Sequence, residues 1–257
     1  MSRLLTISLL LLFLTACNKA PEDSIPEGFT VLATAQGDLD GDHRPETIRL
    51  VGRAAMPDSP FQEDLSLAVG TTLWPMPTAA ASGYEPMLTV LDITGDGRDE
   101  VLVVAPTGGS GGLVAAAVMR ASPANRQWRF HTIFDSESSL VPRLSGSFED
   151  GFTANLIVES PGGHREIAAI DLANRRDQYL EIKVYDAAGS LLKPVDIWGD
   201  GLMGMEPVII AGEPQGLRLT QQPRGASNAD RLALITTVIS CQGDTWSTIS
   251  LEITPVD

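Results

Sequence analysis

Four carboxylates fall within nine residues in the stretch GDLDGDHRPE, at Asp38, Asp40, Asp42 and Glu46. Held close together, they raise one another's pKa and oppose closing a loop unless a cation neutralises them. Alternate residues of a tight loop can turn inward together, and Gly41 allows the sharp bend. Ca2+ collects about six to eight oxygens at roughly 2.3–2.6 Å from flexible loops of this kind. Asp38, Asp40 and Asp42 would supply three of them, with Glu46, a backbone carbonyl near Arg44 and water completing the shell. Mg2+ suits such a loop less, because it takes few carboxylates and keeps several waters. The competing reading is that Asp and Gly simply build a turn. His43 stands where such loops often carry Gly or Asn, and at positive φ it would be strained.

The spacing recurs in DITGDGRDE, where Asp92, Thr94, Asp96 and Glu100 repeat the four offsets and Gly95 matches Gly41. Thr94 offers a neutral oxygen, so this second set carries one charge fewer. A third stretch, DIWGDGLMGME, aligns Asp196, Gly199 and Asp200, but Trp198 replaces the central ligand and cannot bind a metal. The expectation is Ca2+ at one or two sites; Asp196, Asp200 and Glu206 read better as a turn, and metal at 196–206 is left open. The three starts lie 54 and then 104 residues apart, which places a fourth unit near residue 146. A period near 50 residues points to a repeat architecture.

TGGSGG at 107–112 formally matches the G-x-S-x-G elbow of a hydrolase nucleophile, with Ser110 at its centre. That elbow needs a strand before it, a helix after it and a parallel sheet, and no βαβ pattern is present. The glycines therefore read as a connection between strands. No Walker lysine follows them, and three histidines without an H-E-x-x-H leave zinc unsupported. No catalytic residue is expected.

These loops must be held by strands. FTVLATAQ and TIRLV flank the first loop, PMLTV and VLVVA the second; such short β-branched runs bounded by Gly, Asp and Pro read as paired strands. DLSLAVGTTLWPM, SCQGDTWSTISLEIT and AAVMRASPANRQWRFHTIF read as hairpins, and no amphipathic helix of ten residues stands out. The expected class is all-β. A carboxylate loop between two strands, repeated about every 50 residues, resembles the FG-GAP or VCBS repeat of integrin-α-type propellers and bacterial surface proteins. The resemblance covers about ten residues in each of two copies. It implies calcium in the loops and a propeller-like stack of four to five antiparallel blades, because about 240 residues are too few for a full seven-bladed ring. A β-sandwich with decorated hairpins is the alternative.

The N-terminus MSRLLTISLLLLFLTAC sets the compartment. Arg3 precedes 13 uncharged, mostly apolar residues, too few for a spanning helix of about 20 and suited to a signal peptide over 1–16. Its end, Leu14-Thr15-Ala16-Cys17, resembles the lipobox of bacterial lipoproteins, which implies cleavage before Cys17 and lipidation of its thiol. Two or three acyl chains anchor stably where one would not. Residues 17–28, with two prolines, read as a lipidated tether, and 29–257 as one β-repeat domain. With Cys17 lipidated, Cys241 has no partner within the chain and reads as a small core residue.

A net charge of -15 with no clustered basic run argues against nucleic acid. The chain is therefore expected at the bacterial cell envelope, membrane-anchored and extracytoplasmic, as a binding module for an envelope glycan or protein. The alternative is a Ca2+-assisted hydrolase or lyase acting on envelope polymers.

Overall fold

The computed structural model describes residues 25–124, 127–199, 201–210, 216–243 and 245–256. The expected signal peptide, Cys17, most of the tether and Asp200 lie outside the described residues.

The described chain is all-β, laid out as four antiparallel sheets in which strands pair with their neighbours in sequence. Sheet 1 contains β1 (Thr30–Gly37), β2 (Glu46–Ala54), β3 (Phe61–Val69) and β4 (Thr72–Pro75), with β5 (Gly83–Tyr84) added alongside β3. Sheet 2 contains β6 (Met87–Leu91), β7 (Glu100–Pro106), β8 (Val114–Ala124) and β9 (Gln127–Asp135). Sheet 3 has three strands, β10 (Arg143–Glu149), β11 (Thr153–Ser160) and β12 (His164–Asp171), followed by the short helix α1 (Arg176–Glu181). Sheet 4 contains β13 (Leu202–Val208), β14 (Gly216–Gln221), β15 (Ala233–Gln242) and β16 (Thr245–Pro255). None of the four sheets closes on itself. No helix among the described residues is long and apolar enough to cross a membrane.

Tight turns make the meanders. Val69 pairs with Thr72 across a two-residue connection whose first residue, Gly70, has φ 56°, a conformation that glycine enters without strain.

The sheets begin at residues 30, 87, 143 and 202, so the structural unit is a little longer than the carboxylate spacing suggested. A unit does start near residue 146, as β10. In sheets 1 and 2 the carboxylate loop joins the first strand to the second. The 196–199 stretch is not in that register, because it precedes β13 instead of following it. Asp196 forms a bridge with Ser147 of sheet 3, and the Ile197 amide donates to the Gly146 carbonyl at 2.9 Å. It is a short strand-like tie between sheets, and its likeness to the two true loops is confined to residue types.

The strands alternate, and alternation decides which sheets meet. On β7, Val101, Val103 and Ala105 face Ile48, Leu50, Leu65 and Leu67 of sheet 1, while Leu102 and Val104 face Leu202, Leu217 and Leu219 of sheet 4. Both faces of β7 are thus buried, which explains its unbroken apolar sequence. Sheet 4 uses one face for two partners. Leu217, Leu219 and Ile239 pack on sheet 2, and further along the same face Ala233 and Ile235 pack on Leu156, Val158 and Ile170 of sheet 3. Phe148, Phe152, Tyr179 and Tyr185 close that second core, with the rings of Phe152 and Tyr185 4.6 Å apart.

Candidate metal centre

Both carboxylate loops are folded by the same local bonds. In the first, Asp38 Oδ1 accepts the amides of Gly41 and Asp42 at 2.7 and 3.1 Å, and Oδ2 accepts that of His43 at 2.7 Å. In the second, Asp92 accepts the amides of Gly95, Asp96 and Gly97 at 2.6, 3.2 and 2.9 Å. The closing glutamates behave alike too, Glu46 capping the Leu39 amide and Glu100 the Ile93 amide, each at 2.9 Å. The first residue of each motif therefore turns the backbone, and the last pins its start. His43 takes φ 65°, the strained value foreseen for it.

The loops lie side by side at one end of sheets 1 and 2. The Asp38 amide donates to Asp99 Oδ2, and the Asp99 amide to the Asp38 carbonyl, both at 2.8 Å.

They part company in their side chains. Asp38, Asp40 and Asp42 bring donor oxygens within 4.8 Å of one another. That span matches the roughly 4.6–5.2 Å between opposite oxygens of a calcium shell. Asp40 Oδ2 and Asp42 Oδ2 have no hydrogen-bond partner among the described residues, so both remain able to ligate. Three carboxylates and neighbouring carbonyls suit Ca2+ as a donor set. Glu46 stands apart from the cluster, half-buried, with its Oε2 accepting the Leu39 amide.

In the second loop Glu100 is fully buried and bonded to Thr94 Oγ1 and to Arg120 Nε, both at 3.0 Å. Asp96 binds Arg98 Nη2 at 2.8 Å and lies 3.9 Å from Arg120 Nη2. Asp92, Thr94, Asp96 and Glu100 are thus placed on backbone amides and arginines rather than on a shared point.

Charge follows the geometry. Desolvation opposes the ionised form of Asp38, yet the amides of His43, Gly41 and Asp42 together hold it below the usual carboxylate range. Desolvation raises Glu46, against the Leu39 bond and helped by Asp40, Asp42 and Asp38. Asp96, despite some desolvation, is lowered by its bonds to Arg98 and by Arg120. Glu100 is raised by burial, which Arg120 and Thr94 only partly offset.

Residue spacing could reveal Arg98, which sits two positions after Asp96. It carried no sign of Arg120, which approaches from β8, 20 residues beyond Glu100.

The other marked residues have structural partners. Ser110 Oγ accepts from Asn228 Nδ2 at 3.2 Å and the Gly111 carbonyl from Arg224 Nη2 at 2.7 Å, so the glycine loop clasps the connection between β14 and β15. Gly108 packs so closely that a Cβ would lie 2.1 Å from the Tyr84 ring. Trp198 is 45% exposed with its Nε1 donating to the Gly225 carbonyl at 2.8 Å. Glu206 pairs with Arg218 at 2.7 Å, and Cys241 is buried.

The fold defines an all-β protein of consecutive antiparallel meanders with paired acidic loops at one end. The chain belongs to the YybI family. A relative from Bacillus subtilis (strain 168), the uncharacterized protein YybI, is 30% identical over 219 residues, which cover 83% of this chain and 80% of that protein. The YybI C-terminal domain model matches residues 142–254, which begin beside β10 and end within β16.

This corrects the FG-GAP or VCBS resemblance, because no model of those families matches the chain. Ten residues of turn chemistry carried the likeness, and a strand–Asp loop–strand unit is what any chain needing such a turn can reach.

Among solved structures, rhamnogalacturonan lyase YesW overlaps with a TM-score of 0.37 at 16% identity. The Bacillus licheniformis rhamnogalacturonan lyase PL11 overlaps with 0.38 at 13%. Each comparison covers 88% of this chain and 34% of the lyase, so the chain spans about a third of those enzymes. Likeness at that level carries no argument about activity.

Proposed function

We propose that this protein is a lipid-anchored, extracytoplasmic protein of the bacterial envelope whose first acidic loop binds Ca2+ and whose β-sheets serve as a binding module. The observation that carries the calcium reading is the gathering of Asp38, Asp40 and Asp42 donors within 4.8 Å. The anchor rests on Leu14-Thr15-Ala16-Cys17 at the end of an apolar run. The sandwich-like alternative fits the sheets better than a propeller, a reading supported by sheet 4 covering sheets 2 and 3 with one face. A propeller blade would meet its two neighbours with opposite faces. The partner is an envelope glycan or protein.

Calcium bound only by the folded state should add RT ln(1 + [Ca2+]/Kd) of stability. For a Kd of about 10⁻⁴–10⁻³ M, as in extracellular modules, millimolar calcium contributes on the order of 1 kcal/mol. Melting temperature measured from EDTA to about 10 mM calcium, roughly ten to a hundred times such a Kd, should rise for the wild type and stay flat for Asp40→Ala. Magnesium serves as the control. A flat wild-type curve would reduce the loop to an Asp-Gly turn.

The anchor is tested separately. Cys17→Ser, or globomycin treatment of the cells, should leave the protein unprocessed or released from the membrane fraction. Unchanged fractionation and mobility after both would refute lipidation.

A further inference from the structure

We infer that Arg120 is a built-in counter-cation for the second acidic loop, so that the protein takes one divalent cation, in the first loop, and none in the second. The stoichiometry rests on the calcium reading above; the role of Arg120 rests on geometry alone.

The two loops are an internal comparison. They share their turn, their glycine, their capping aspartate and their closing glutamate, and differ in what meets the acidic side chains. A carboxylate offers about four lone-pair positions. Glu100 has all four filled: Ile93 and Thr94 amides on Oε2 at 2.9 and 3.2 Å, Thr94 Oγ1 and Arg120 Nε on Oε1 at 3.0 Å each. No direction is left from which a metal could approach it. Glu46, in the matching position, accepts the Leu39 amide. Asp96 Oδ1 accepts the Arg98 amide and Oδ2 the Arg98 guanidinium, with Arg120 Nη2 behind. Asp40 and Asp42 have no ion pair among the described residues.

A divalent ion entering the second loop would have to displace two guanidinium groups while sitting beside them. Arg120 is itself only 11% exposed. Pulling it away would leave Glu100 buried and ionised without a counter-charge, its three remaining hydrogen bonds coming from neutral groups, which is strongly unfavourable.

The same guanidinium reaches the Gly243 carbonyl at 3.4 Å, in the turn joining β15 to β16. Arg120 thereby ties sheet 2 to sheet 4, whose strands lie in the family-matched region while those of sheet 2 precede it. A fixed positive charge at that junction keeps it assembled whatever the calcium level, whereas the first loop, on the outer sheet, is left free to respond to it.

The test is calcium titration calorimetry on the full chain in detergent, stripped with EDTA, joined to a thermal double-mutant cycle. The wild type should bind one equivalent, Asp40→Ala none, and Asp96→Ala one. Two equivalents in the wild type, or one in Asp40→Ala that Asp96→Ala abolishes, would overturn the inference. In the cycle, Arg120→Gln should lower the melting temperature markedly, and Glu100→Gln should cancel at least about half of that loss, because the two groups interact directly. Arg120→Lys, which keeps the charge, should be milder than Arg120→Gln and is the variant to titrate if Arg120→Gln does not fold. Strictly additive losses would show that Arg120 does not serve Glu100. A wild type that binds no calcium would sink the calcium reading alone, and the cycle would then decide the role of Arg120.

Discussion

Replacing Asp230 with Ala should cost the protein about 3–5 kcal/mol, the loss typical when one partner of a buried charge pair is removed. The Asp230 carboxylate is fully shielded from solvent. It accepts the Tyr179 hydroxyl at 2.7 Å, Arg175 Nη1 at 3.1 Å and the Ala226 amide at 2.8 Å. Tyr179 is itself wholly buried, on α1 against Phe148. Burial first, and Asp230 second, push its phenol well above the usual range, so it remains a neutral donor that needs an acceptor. Truncation would leave that donor and a guanidinium only 15% exposed facing a void. Arg175 also holds the Arg231 and Val256 carbonyls, so the strand end after β16 would loosen with it. Asp230→Asn keeps an acceptor but loses the charge, and should cost about half as much, nearer the worth of a charged hydrogen bond. Urea unfolding of the two variants against the wild type, compared at fixed slope, reads both numbers. A loss below about 1 kcal/mol for Asp230→Ala, the worth of an ordinary neutral hydrogen bond, would mean that Tyr179 and Arg175 find other partners.

The stretch 142–257, expressed alone, should fail to give a well-packed monomer even though it holds the whole family-matched region. Its sheets 3 and 4 share a core, but Leu202, Met205, Leu217, Leu219 and Ile239 pack against sheet 2. Exposing five such side chains at about 1.5–3 kcal/mol each costs about 8–15 kcal/mol, as much as a typical domain's entire stability. The fragment should bind a hydrophobic dye and elute as aggregate. Restoring sheets 1 and 2, from residue 29 onward, should restore a single sharp peak, because β7 and β8 carry the complementary Leu102, Val104, Ala116 and Val118 on one face and sheet 1 covers Val101, Val103 and Ala105 on the other. A fragment 142–257 that unfolds cooperatively at the wild-type midpoint would show the interface with sheet 2 to be dispensable. The boundary at residue 142 is in this sense a boundary of sequence likeness, placed where the chain leaves sheet 2, and it cuts through a shared core.

What the sequence determined by itself was everything governed by neighbours along the chain. Alternating β-branched runs between Gly, Asp and Pro marked the strands and the all-β class, because side-chain alternation and turn chemistry act over two to five residues. The fold of each acidic loop was legible for the same reason. Asp38 and Asp92 reach amides three to five positions on, and Glu46 and Glu100 reach back seven. Two stretches with the same residues at those offsets close in the same way.

Tertiary structure decided which groups meet the acidic side chains of those loops. Arg120 lies on another strand, and only the pairing of β7 with β8 brings its guanidinium onto Glu100, leaving the first loop with its carboxylates gathered and the second with Asp96 and Glu100 paired to arginines. Register likewise settled residues 196–199, which resemble the two loops in residue type but whose backbone at Asp196 is drawn to Ser147 as a tie between sheets. The order in which the sheets share cores was also beyond residue spacing. An alternating strand states that it has two faces and leaves open which distant face will cover each, and that choice belongs to long-range packing, where sheet 4 meets sheet 2 and sheet 3 on one surface.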